Sequence, residues 1–75
     1  MHHYRNTSGD SGVVAYDIDS DSIIVQFSSG DRYLYTERSA GAENIATMQE
    51  LARAGRGLST FISQHIGSRY ERKLN

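Results

Sequence analysis

Strand-like patterns of apolar and polar positions run between residues 12 and 36, and the period then changes. Residues 12–18 (GVVAYDI) are β-branched and aromatic. Residues 22–27 (SIIVQF) alternate, with Ile23, Val25 and Phe27 on one face and Ile24 and Gln26 on the other. Both stretches predict strands, joined by the turn-forming cluster Asp19-Ser20-Asp21-Ser22. Ser28-Ser29-Gly30 predicts a three-residue hairpin loop with Gly30 in the left-handed position. Parity selects this loop. Pairing Phe27 with Asp31 sets Val25 opposite Tyr33 and Ile23 opposite Tyr35, whereas a two-residue loop would place Arg32 beside Phe27. A third strand follows over residues 32–36.

Beyond Arg38-Ser39-Ala40-Gly41 the period lengthens to that of a helix. Ile45, Met48, Leu51 and Ala52 share one stripe, and Glu43, Gln49, Glu50 and Arg53 lie opposite. Gly55 stands where a left-handed cap would end that helix. Leu58, Phe61, Ile62, Ile66 and Tyr70 give a second stripe, with Ser59 as a first-turn or capping residue. The expected fold class is α+β: a three-stranded antiparallel β-meander followed by two α-helices packed on one face. Residues 1–11 show no periodicity and are expected to be a flexible N-terminal arm, residues 12–70 a single domain, and residues 71–75 a charged C-terminal tail that frays.

Composition narrows the chemistry. The 75 residues suit one domain, and the absence of cysteine excludes disulfides, thiol chemistry and cysteine-ligated metals. A reducing, cytoplasmic setting is the expectation, with no membrane partner, because no long apolar run is present. So small a core predicts modest stability, or support from a dimer partner or a neighbouring domain. The net charge of -1 conceals an asymmetry. Residues 1–37 carry two basic and six acidic side chains, and residues 38–75 carry six basic and three acidic ones. Such a dipole argues against charge-driven affinity for nucleic acid over the whole surface and leaves room for a local basic patch.

Few constellations carry chemistry. Asp17, Asp19 and Asp21 have the spacing that opens a calcium loop, but Ser22 replaces its glycine and Ser28 its bidentate glutamate, so a strand-connecting turn is expected. His2 and His3 lack further ligands, and no metal or cofactor is expected. Ser59 and His65 stand six positions apart with no nucleophile elbow around either, so the chain is not expected to be an enzyme. Arg53, Arg56, Arg69, Arg72 and Lys73 are candidates for a convergent phosphate-binding cluster, with Arg56 between Gly55 and Gly57 as an anion perch before a helix. Tyr16 and Tyr35 are the candidate stacking rings, against a reading of the tyrosines as core.

Two motifs in this order and spacing, Phe27-x-x-Gly30-x-x-Tyr33-x-Tyr35 and Ala54-Gly55-x-Gly57-Leu58-x-x-Phe61-Ile62, resemble the KTSC domain, named for its place at the C-terminus of some lysyl-tRNA synthetases. The resemblance runs from about Ser11 to Tyr70. It implies the same meander-plus-helices fold, no established catalytic residues, and RNA binding by context alone. Many members carry a proline between the last strand and the first helix; this chain has none, and a looser connection at residues 39–41 is expected. The leading expectation is a small non-catalytic nucleic-acid (RNA) binding module. The alternative is a protein–protein interaction or dimerisation module that uses a sheet edge.

Overall fold

A computed structural model describes residues 1–6 and 12–75. The chain forms one antiparallel sheet in sequence order, β1 (His2–His3), β2 (Val13–Ile18), β3 (Ser22–Phe27), β4 (Arg32–Thr36) and β5 (Arg72–Lys73). The helices α1 (Glu37–Ala40), α2 (Ala42–Ala54) and α3 (Leu58–Phe61) follow β4, and α3 runs on into a π-helical turn, Ile62–Ile66. The α+β class and the antiparallel meander are as expected; the short outer strands and the extra helical turn are not.

The central hairpin obeys the parity argument. Val25 lies opposite Tyr33 and Ile23 opposite Tyr35, the Phe27 N–H donates to the Asp31 carbonyl at 2.9 Å, and Gly30 takes φ +95°. On β2 the register shifts between Val13 and Ala15. This bulge lets Val13 and Tyr16, three positions apart, both lie beside inward-facing partners, Phe27 and Val25. All buried strand residues, Val13, Ile23, Val25 and Tyr35, therefore stand on one face. Ile45, Met48 and Ala52 of α2, Leu58 of α3 and Ile62 and Ile66 of the π turn complete the core against them.

Helix α1 was not evident from periodicity, being a single turn. It exists because Thr36 and Ser39 cap it reciprocally: the Ser39 N–H donates to Thr36 Oγ1 at 3.1 Å and the Thr36 N–H to Ser39 Oγ at 3.0 Å. This capping box holds the corner that lacks proline. The expected helical stripe reaching Tyr70 is corrected as well. Gly67, at φ +56°, ends the helix, and the Tyr70 ring packs 4.6 Å from Tyr33 instead.

Both termini depart from the expected arm and tail. His2 and His3 pair with Tyr16 and Ala15, and Tyr4 is only 1% exposed, so residues 2–4 of the supposed arm belong to the folded body. Residues 7–11 of that expectation lie outside the described residues. At the other end Arg72 and Lys73 pair with Leu34 and Tyr33. The Leu74 N–H donates to the Arg32 carbonyl at 2.8 Å, and Asn75 bonds Gly30 and Arg32 through its side chain. Backbone groups left bare by β2 and β4 attract whatever chain can reach them, a demand that side-chain periodicity does not register.

Burial pushes the Tyr35 hydroxyl up to about 12, reinforced by Tyr33 and Tyr70. The unfolded chain loses this proton near pH 10 while the native state keeps it, so the native state binds more protons between those values and stability falls as pH rises. Chemical denaturation should give a midpoint unaffected by Tyr35 below about pH 10 that drops from there towards about 12. Tyr35→Phe should make that fall shallower; an identical fall in both proteins would assign it to other groups.

Candidate functional site

Five expected cationic residues are all exposed, yet the fold does not bring them together. Arg53 lies in the last turn of α2 and Arg56 in the turn to α3, where Tyr4 and Arg5, just past β1, dock. Arg72 and Lys73 lie on β5, at the opposite edge of the sheet. Arg69 lies between them in sequence, past the π turn, its N–H bonded to the Ile66 carbonyl. Lys73 is also engaged, 3.2 Å from Asp31, which raises its pKa through a hydrogen bond and charge attraction. The single convergent cluster is thus corrected to two separate groups. Topology decides this: the C-terminal strand joins β4 at one edge of the sheet, while the α2–α3 turn meets Tyr4 and Arg5, which follow the strand at the other edge.

The expected stacking rings are corrected in part. Tyr35 is 2% exposed and has no face to offer a base. Tyr16 is half-buried and already stacks on His2, with ring centroids 5.5 Å apart. Phe27, Tyr33 and Tyr35 all share the helix-covered face, as their cross-strand pairings require.

The Gly55-Arg56-Gly57 turn has a structural occupant. The Leu58 N–H, at the head of α3, donates to the Tyr4 hydroxyl at 3.2 Å in a buried bond. Arg5 Nη2 donates to the Arg53 carbonyl at 2.9 Å. A Cβ on Gly55 would stand 2.7 Å from Arg5 Cβ, so the glycine admits the N-terminal segment as well as a φ of +77°. The perch expected for an anion instead receives the chain's own beginning. What remains there is an exposed corner of three arginines, Arg5, Arg53 and Arg56, none in an ion pair among the described residues. Sequence reasoning missed Tyr4 and Arg5; a lone aromatic ring in a polar stretch was the available signal.

The acidic segment at residues 17–21 is the end of β2 and the turn into β3, and carbonyls at that turn serve packing. Gln49 Nε2 donates to the carbonyls of Asp19 and Ser22 at 2.8 and 3.0 Å, and the Glu37 N–H donates to that of Asp21. His65 is exposed and lies against Phe61 rather than Ser59. Immediately before β5, Glu71 accepts from Arg38 and Thr36, both at 2.8 Å, and these bonds, Arg38's first, hold its carboxyl below the usual range.

The face of the sheet away from the helices was not singled out from the sequence. Asp17, Ile24, Leu34 and Arg72 are successive register partners across β2, β3, β4 and β5, so they form one row on that face. Ala15, Gln26 and Arg32 form the next row. None of these residues belongs to the buried core. Asp17, Asp19, Ser22, Ile24 and Leu34 line a shallow hollow of about 360 Å³, together with Ile18. The arrangement offers two half-buried aliphatic side chains flanked by an acid and a base. Among the described residues no helix is long and apolar enough to cross a membrane, and no three metal-ligating side chains come together.

Comparison with protein-family models, with curated proteins and with solved structures finds no match to this chain.

Proposed function

We propose that this chain is a non-catalytic protein-interaction module of the KTSC type whose contact surface is the open face of the sheet. The observation that carries this reading is the row Asp17–Ile24–Leu34–Arg72, which presents aliphatic surface between opposite charges outside the core. A protein surface can bury the aliphatic pair and answer both charges, whereas a nucleic acid would meet Asp17 and find no ring to stack on. The sheet edges suit a partner less well. Strands β1 and β5 are two residues long and carry His, Arg and Lys, features that discourage strand addition. The family reading gains support from its glycines, since Gly30, Gly55 and Gly57 of the two motifs all take positive φ. A cytoplasmic location goes with this reading on the lack of cysteine.

A second reading, RNA binding, is favoured by one observation, the corner of Arg5, Arg53 and Arg56. Three phosphate contacts would give weak binding that falls steeply with salt. One experiment separates the two. A photo-reactive residue is placed at Gln26 on the open face and, in a second protein, at Arg56 on the corner, and each is irradiated in the cells that produce it. Protein adducts confined to position 26 are expected. Nuclease-sensitive adducts at position 56 with none at 26 would replace the protein reading with the RNA one.

A further inference from the structure

We infer that the open face is self-complementary and that its occupant is a second copy of this chain. This rests on the open face being a protein-contact surface, and adds which protein. Along the row the order is acid, aliphatic, aliphatic, base, and the midpoint falls between Ile24 on β3 and Leu34 on β4. Consider a two-fold axis parallel to the strands and passing over that midpoint. It lays β3 of one copy on β4 of the other, and β2 on β5. Ile24 then packs on Leu34 of the second copy, and Asp17 faces its Arg72, each contact occurring twice. In the adjacent row Gln26 faces Arg32, and in the row beyond Ser22 faces Thr36.

The reverse order of charges is what makes the match specific to a copy of itself. Asp17 and Arg72 are three strand spacings apart within one chain, about 14 Å, too far to pair internally. Stacked sheets lie about 10 Å apart, a gap that side chains from both faces fill, and the hollow beside Ile24 and Leu34 is available to the opposing pair. The face measures roughly 19 by 20 Å, about half the area each partner contributes to a standard interface. Association in the micromolar to millimolar range is therefore expected, strengthened at low salt.

The test is a charge exchange read by sedimentation equilibrium from micromolar to millimolar concentration, with circular dichroism to verify folding. Asp17→Arg alone sets two arginines against each other twice per dimer, and Arg72→Asp alone does the same with two aspartates. Each single change should weaken association at least about tenfold. The double variant restores both pairs in reversed sense and should return to within about threefold of the parent. Both positions are exposed, so the variants should fold. A parent that remains monomeric at millimolar concentration overturns the second copy as occupant, and so does a double variant as weak as either single one. The protein-contact reading would survive either result if cross-linking at position 26 still yields adducts with a different protein, and would fall with it if that position yields none.

Discussion

Tyr4→Ala is expected to remove most of the stability of this domain. Truncating a fully buried aromatic ring costs about 3–5 kcal/mol, and the loss of the hydroxyl leaves the buried Leu58 N–H without its acceptor, at about 1–3 kcal/mol more. At roughly 0.05–0.15 kcal/mol per residue, the total for a chain of this size is about 4–11 kcal/mol. One substitution in a segment without sequence periodicity thus approaches the whole. Urea denaturation followed by circular dichroism should show the midpoint collapse, with a large unfolded fraction in buffer alone. Tyr4→Phe keeps the ring and should lose only about 1–3 kcal/mol. A midpoint unchanged by Tyr4→Ala would mean that residues 2–6 do not dock in solution.

The second large effect is expected at Gly55, on the receiving side of the same contact. An alanine there takes a left-handed backbone at about 1–2 kcal/mol, and its Cβ meets Arg5 Cβ at 2.7 Å, with the Arg5 backbone N and Cα at 3.5 Å. Relief requires the N-terminal segment to move, which loosens the Tyr4 hydroxyl from Leu58. Gly57→Ala is the control. Its φ of +79° carries the same backbone penalty, but its nearest neighbour, Leu51 Cδ2 at 3.6 Å, is at ordinary contact distance. Gly55→Ala should therefore cost about 2–4 kcal/mol and exceed Gly57→Ala by at least about 1 kcal/mol. Equal losses would show that the docked segment yields freely and that only the backbone conformation matters.

These two effects explain why the second family-like motif has two glycines. Gly57 admits a left-handed turn into α3, and Gly55 admits both a left-handed turn and the close approach of Arg5. The arginine between them gains an exposed position from the same geometry. Whether that corner meets phosphate or only water is separate from the reason for its glycines.

Local pattern by itself determined the β2–β3–β4 meander, the Phe27–Asp31 hairpin and its register, α2 with its Gly55 cap, and the face that carries the core. All of these follow from side-chain periodicity and turn chemistry, which act between near neighbours and leave their mark on the order of residues. The tertiary structure alone decided the roles of the termini. Residues 2–4 and 72–74 are recruited by backbone groups that β2 and β4 leave bare, and hydrogen bonding of a peptide group does not depend on side-chain pattern. It also decided the candidate surfaces. The basic residues that cluster in the back half of the sequence separate because the α2–α3 turn, with Arg53 and Arg56, meets Tyr4 and Arg5 just past β1, while the chain's end joins β4 at the other edge. Asp17, Ile24, Leu34 and Arg72, spread over 56 positions, become neighbours only when three antiparallel pairings align them in one row.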